Sequence, residues 1–205
     1  MSQNKIVITG TIASGKSSLS EILRKKGYKV IDSDKINKKL LEKDQINYKE
    51  ILSSKAFDEA FDGENLDKKI LAKIIFNNSQ KRELINEITH KNIIAYINNL
   101  IKESNEKNIF IEIPLYFQMK EKFPCDNVWL VTADREIQIE RLMQRDKIGR
   151  DFALKKINSQ DFLEMQKKSD VIFDNSTSLE NLEKKVEIAL KNLENIWKLW
   201  KIFLK

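Results

Sequence analysis

Two rhythms alternate along this chain. Short apolar runs rich in Ile and Val give way to longer stretches whose apolar positions recur every three or four residues. The runs Lys5–Thr9, Tyr28–Ile31, Asn108–Ile113, Asn127–Thr132 and Asp170–Phe173 read as five strands. Between the first two lies a helix of about Gly15–Lys26, stopped by Gly27 just past its C-cap. Another helix follows the fourth strand, capped near Thr132 or Asp134. Alternation of this kind predicts an α/β fold, a five-stranded parallel sheet covered by helices. Every strand runs into a turn or a helix start, so the strand C-termini share one edge. In open α/β sheets, ligands bind along that edge.

From the second strand to the third, roughly seventy residues carry no strand signal. Asp67 begins a capped helix with Ile70, Leu71, Ile74 and Ile75 on one face. Leu84, Ile85, Ile88, Ile93, Ile94, Ile97 and Ile101 continue a helical stripe. We read 35–107 as a helical insertion that covers a second substrate, within a single domain spanning 1–205. Residues 178–205 read as a C-terminal helix, with Leu179, Leu182, Val186, Ala189, Leu193, Ile196 and Trp200 at three- and four-residue spacing. Its end, Ile196–Lys205, interleaves aromatic residues with lysines. Packing against the rest of the chain is the first expectation there; a membrane-surface or self-association role is the alternative.

Composition narrows the classes. With 205 residues, 41% apolar and 33% charged, the chain is large enough for a full core. No window approaches the roughly eighteen consecutive apolar residues that suggest a membrane span. The N-terminus enters a strand with no secretory apolar stretch before it. Cys125 is the only cysteine, which excludes an internal disulfide and fits a reducing cytoplasm. His90 is the only histidine, so a zinc site is disfavoured. A formal charge of +6 invites a nucleic-acid reading, but the chain holds only six arginines and the lysine excess is spread over nearly every segment. We therefore expect no nucleic-acid partner and no stable membrane association. A positive cleft for a small anionic substrate is the milder use of that charge. The expected state is a monomer or weak homo-oligomer.

The sharpest chemistry lies at the end of the first strand, where Gly10-Thr-Ile-Ala-Ser-Gly-Lys-Ser17 has the spacing G-x-x-x-x-G-K-[ST]. Strand, tight turn and helix start are the context in which such a loop cradles phosphate. The N–H groups from Ala13 and Ser14 through Gly15, Lys16, Ser17 and Ser18 face inward at a helix N-terminus, where the dipole favours an anion. Lys16 reaches the β- and γ-phosphates, and the Ser17 hydroxyl ligates Mg2+. This motif predicts nucleotide binding. Past the second strand, Asp32 and Asp34 stand where an acceptor hydroxyl would face the γ-phosphate. A carboxylate is too weak a base to deprotonate a free alcohol outright. It can take the proton late, in a loose transition state. Two carboxylates at i and i+2 of an extended segment point opposite ways, so one serves as base and the other as helix cap or metal-water ligand. Four of the six arginines, Arg135, Arg141, Arg145 and Arg150, fall within sixteen residues. Arg141 and Arg145 share a helical face, and Gly149 supplies a hinge, so 141–160 reads as a lid over the phosphates. For Arg145 we favour a phosphate role; for Arg135, an ordinary salt-bridged helix.

Taken together these motifs resemble the dephospho-CoA kinase family, from about Lys5 to Leu193. Besides the loop, the resemblance rests on Val30-Ile-Asp-Ser-Asp34, Asn65-Leu-Asp67, Ile88-Thr-His90, Ile113-Pro-Leu115, Gln144-Arg-Asp146, Ser159-Gln160 and Ser169-Asp-Val-Ile172 with Asn175. It implies a three-layer P-loop kinase fold with a helical insertion and a small lid. It also implies ATP as phosphoryl donor, Mg2+ as cofactor and dephospho-CoA as acceptor. By that likeness Asp34 is the catalytic base, Lys16 the loop lysine and Arg145 the lid arginine. His90, Pro114 and Leu115 lie with Asp34 at the acceptor site, Asn175 near the adenine, and Glu112 near metal-bound water. The chain departs from the family at several positions. Thr11 and Ala13 replace glycines, Lys68 replaces Arg, Lys91 replaces Pro, Glu112 replaces Asp and Gln118 replaces Glu. A nucleoside or nucleotide kinase is the alternative in the same class. A GTPase-type switch would need a guanine-reading Asn-Lys-x-Asp segment, and the sequence has none.

Overall fold

The apolar runs become strands because each finds a neighbour to pair with. In the computed structural model, which describes residues 3–203 and the side chains of 3–195, β1 (Asn4–Gly10) leads into α1 (Lys16–Lys25), β2 (Val30–Asp32), α2 (Ser33–Leu40) and α3 (Ile46–Ser53). The short strands β3 (Phe61–Asp62) and β4 (Asn65–Leu66) come next, then α4 (Lys68–Asn77), α5 (Ser79–Lys102), β5 (Asn108–Glu112) and β6 (Asn127–Thr132). The chain continues through α6 (Arg135–Asp146), α7 (Arg150–Asn158), α8 (Phe162–Lys167), β7 (Val171–Asp174) and α9 (Leu179–Phe203). It divides into two units, 1–31 with 106–205, and 32–105.

The first unit holds the five-stranded sheet, in the order β2-β5-β1-β6-β7. β1 pairs parallel with β5 and with β6, and β6 parallel with β7. Central position explains why β1 is almost wholly buried, with the apolar run Ile6-Val7-Ile8 at its middle. On one face Ile6, Ile8, Phe110, Trp129, Val131 and Phe173 meet Leu19, Ile22 and Leu23 of α1, and Leu182, Val186, Ala189, Leu190 and Leu193 of α9. Trp129 lies between two rings, with centroids 5.1 Å from Phe110 and 5.0 Å from Phe173. The C-terminal stripe engages from Leu182 onward, while Leu179 opens the helix exposed. The expectation for the Trp- and Lys-bearing end, Ile196–Lys205, lies outside the described side chains. Helices α6 and α7 close a smaller core of Ile139, Leu142 and Ala153, against which Ile12 and Ala13 of the β1–α1 loop pack.

The second unit is mainly helical. Ile51, Phe57, Ala60, Leu71, Ile85 and Ile88 form its core. Asp67 caps α4 as expected, its Oδ1 accepting the N–H groups of Lys69 (2.7 Å) and Ile70 (3.1 Å). An amide network centred on the buried Asn47 ties α2, α3 and α5 together. Asn47 Nδ2 donates to Asn37 Oδ1 (3.1 Å), and Asn92 Nδ2 donates to Asn47 Oδ1 (2.9 Å) and to Glu50 Oε2 (2.9 Å).

Several expectations shift. The stretch without strand signals contains the antiparallel pair β3–β4, Phe61 opposite Leu66. Two-residue strands are too short for a period-2 pattern; the Tyr48 hydroxyl donating to Glu64 O and the Asp67 N–H donating to Ala60 O (2.8 Å) hold the hairpin. The second strand begins at Val30 rather than Tyr28, because the Tyr28 N–H closes the end of α1 on Leu23 O (3.0 Å). Asp34 does not sit on extended chain: α2 starts at Ser33, and Asp32 Oδ1 caps it by accepting the Lys35 N–H (3.0 Å). Among the described residues no helix is long and apolar enough to cross a membrane.

Candidate active site

The loop between β1 and α1 is built by two glycines for two different reasons. A Cβ at Gly10 would stand 2.5 Å from Val131 O of the neighbouring strand, so the chain turns only where no side chain intrudes. Gly15 has φ +91°, and its Cβ would meet Asn175 Nδ2 at 2.2 Å. Ala13, where the family it resembles carries glycine, also adopts a left-handed φ of 57°. Between these points the chain folds tightly on itself. Thr11 O accepts from Ser14 N (3.3 Å) and Ser14 Oγ (2.8 Å). Lys16 Nζ donates to Gly10 O and to Thr11 O, both at 3.2 Å. The lysine ammonium thus lies across the loop whose amides open α1, a concentration of positive potential suited to a polyphosphate.

Neighbouring elements brace the loop. Asn175, buried just past β7, donates from Nδ2 to Ser14 O at 2.8 Å. Arg141 of α6 donates from Nη2 to Asn175 O at 3.1 Å, so its arginine fork supports the same corner. Gln160 Oε1 accepts the Ile12 N–H at 2.7 Å. The Thr11 hydroxyl is buried with no hydrogen-bond partner among the described residues.

Glu112, at the carboxyl end of β5, pairs in register with Ile8, two residues before Gly10. Its Oε2 accepts from the buried Ser20 hydroxyl of α1 at 2.7 Å. Ser17, one turn earlier on the same helix, is exposed. Pro114 and Leu115 follow β5 directly; Pro114 O accepts from Thr9 Oγ1 at 3.2 Å, and Leu115 is exposed. These groups share the sheet edge where strand C-termini gather.

Arg145 pairs with its neighbour: its Nε and Nη2 donate to the Asp146 carboxylate at 2.7 and 3.3 Å, and Lys156 Nζ reaches the same group at 3.1 Å. The Arg145 guanidinium and the Lys156 ammonium together hold the Asp146 carboxyl down at about 2. Arg135 donates to Asn158 Oδ1 (2.7 Å), and Arg150 pairs with Glu136 (2.7 Å).

In the second unit, Asp34 lies exposed in the first turn of α2, two residues beyond the last residue of β2. His90 sits half-buried on α5, and that burial pushes its imidazole below the ordinary value, toward the neutral ring. Three residues of this site carried no role in the sequence reading: Ser20, which holds Glu112; Gln160, quoted there only within a motif; and Arg141, read only as sharing a face with Arg145. No local pattern marks them, because each acts on a group distant in sequence.

The sequence model of the dephospho-CoA kinase family matches residues 5–181. The dephospho-CoA kinase of Fusobacterium nucleatum is 41% identical over 184 residues, covering 89% of this chain and 94% of the relative. Among solved structures, TT1252 from Thermus thermophilus superposes with a TM-score of 0.81 at 28% identity, covering 94% of this chain and 99% of that one. The dephospho-CoA kinase from Campylobacter jejuni does so with a TM-score of 0.66 at 28% identity, covering 94% and 98%. A braced phosphate loop on a parallel sheet, matched along most of its length by these relatives, places the chain in the dephospho-CoA kinase family.

Proposed function

We propose that this chain transfers the γ-phosphoryl group of ATP to the ribose 3′-hydroxyl of dephospho-CoA, giving coenzyme A and ADP. One observation carries the reading: a loop with Lys16 laid across it and Gly15 at φ +91° opens α1 inside a chain matched to the family from residue 5 to 181. The loop amides and Lys16 bind the β- and γ-phosphates and take up the charge that develops there. Asp34 is the base. As the 3′-oxygen bonds to the γ-phosphorus, the bond from that phosphorus to the β–γ bridging oxygen breaks. The hydroxyl proton passes to the Asp34 carboxylate, and ADP departs with the electron pair. Arg145 moves from Asp146 to the transferring phosphoryl group, for which its planar fork is suited. Lys156 stays to balance Asp146.

The segment 141–160 is the lid, and 35–107 is the acceptor-covering insertion, with His90, Pro114 and Leu115 on the acceptor side. Asn175 supports the nucleotide side of the site. The residues present suit Mg2+: a hydroxyl at the head of α1 and a carboxylate at the end of β5 are hard oxygen donors. Ser17 would hold it directly and Glu112 through water, and the bound ion neutralises phosphate charge. The chain works in the cytoplasm, as a monomer or weak homo-oligomer, with ATP and dephospho-CoA as partners.

Incubation of the purified chain with ATP, Mg2+ and dephospho-CoA, followed by chromatography, should yield CoA and ADP in equal amounts. Asp34→Ala should lower kcat by about 10²–10⁴-fold, the range for a lost general base. Lys16→Ala should lower it by about 10²–10³-fold, as for a lost charge-stabilising donor. Both variants should melt within a few degrees of the parent. Absence of CoA from the parent reaction, or full turnover by Asp34→Ala, would overturn the reading.

A further inference from the structure

One peptide unit of the loop faces two ways. The carbonyl of Thr11 accepts from Lys16 Nζ at 3.2 Å and from Ser14 N and Oγ at 3.3 and 2.8 Å, so it organises the loop. The amide of the same unit, the Ile12 N–H, is received by Gln160 Oε1 at 2.7 Å. A trans peptide is planar, with its N–H and C=O pointing in opposite directions. Whatever holds the Ile12 N–H therefore also sets the direction of Thr11 O, and with it the anchor of Lys16.

Gln160 is itself firmly placed. It lies in the turn that ends α7, where its N–H bonds to Ile157 O at 3.2 Å and its carbonyl accepts the Phe162 N–H at 3.1 Å. Ile12 and Ala13 pack on the same α6–α7 core. The residue after Ile12 is Ala13, held at φ 57° where a side chain is unfavourable. One residue before it, the Thr11–Ile12 peptide is held on both edges: Lys16 and Ser14, from within the loop and the start of α1, bond its carbonyl, and the Gln160 side chain, from the end of α7, holds its N–H.

We infer that Gln160 is a positioning residue for the nucleotide: through the Thr11–Ile12 peptide it orients Lys16 and the loop amides, and so makes phosphate affinity depend on how the end of α7 is seated. This rests on the loop being the ATP site, not on the identity of the acceptor.

The test compares two substitutions of similar length. Gln160→Met keeps the bulk and removes the acceptor; Gln160→Glu keeps an acceptor oxygen in place. Gln160→Met should raise the KM for ATP, and the Kd for ATP measured by calorimetry with no acceptor present, by about tenfold, the size of one lost hydrogen bond. It should leave the KM for dephospho-CoA within about twofold, since that substrate does not use the loop. Gln160→Glu should stay within about threefold of the parent in both nucleotide measurements. A role in packing alone predicts the reverse order, because an apolar isostere suits a packed site better than a carboxylate. Unchanged ATP affinity in Gln160→Met, equal losses in both variants, or a parallel rise in the dephospho-CoA KM would overturn the inference. A parent chain that binds ATP but makes no CoA would sink the proposed acceptor and leave the calorimetric comparison standing.

Discussion

At the residue scale, Ala13 is the most instructive departure from the family pattern. Glycine adopts a left-handed φ at no steric cost, whereas an alanine there is strained by about 1 kcal/mol. The phosphate loop accepts that strain because Ile12 and Ala13 gain packing against Ile139, Leu142 and Ala153. Ala13→Gly should therefore bind ATP within about twofold of the parent. Ala13→Val, with a β-branched side chain at φ 57°, should raise the ATP KM more than about tenfold. Steady-state kinetics with ATP varied would check both, and a fully active valine variant would contradict the account of the loop. Spacing showed that this segment is a phosphate loop, but not which of its residues bear strain. That depends on the backbone angle, which a neighbouring core helps to impose.

The element scale shows where periodicity suffices and where it stops. The stripe along 84–101 and the capping aspartate before Ile70 were legible, because an amphipathic helix repeats its pattern and Asp67 has its partners two and three residues away. Asn37, Asn47 and Asn92 were not, since polar residues on a helix read as solvent-facing until another helix is laid over them. Asn47 is fully buried and gives and takes a hydrogen bond across three helices. Asn47→Leu, close in size, takes away the Asn47 donor of the Asn37 oxygen and leaves Asn92 Nδ2 only its bonds to Glu50 Oε2 and Ile88 O. The substitution should cost about 1–3 kcal/mol in urea unfolding. A change below about 0.5 kcal/mol would mean that water satisfies those groups instead.

For the whole molecule, an extensive core lies where the sheet meets α1 and α9. Trp129 is fully buried between Phe110 and Phe173, and its indole N–H has no hydrogen-bond partner among the described residues. Trp129→Ala should cost about 3–5 kcal/mol through the cavity it leaves. Trp129→Phe, which removes an unpaired buried N–H along with some ring volume, should cost far less. Denaturant unfolding of the two variants checks the contrast, and equal losses would assign the site's value to the indole itself. The strands and the phosphate loop could be read from the chain alone because their signals are local: an apolar run, a glycine spacing, a helix start. The same holds for the family, whose motifs keep their order along the sequence. The arrangement of the strands was decided only in three dimensions, where β1 lies between β5 and β6 although roughly a hundred residues separate it from either. So were the side chains that brace the loop, Gln160, Asn175 and Arg141, each far from it in sequence. Hydrogen bonds of that reach leave no periodic trace, because their geometry exists only after the sheet has brought its edges together.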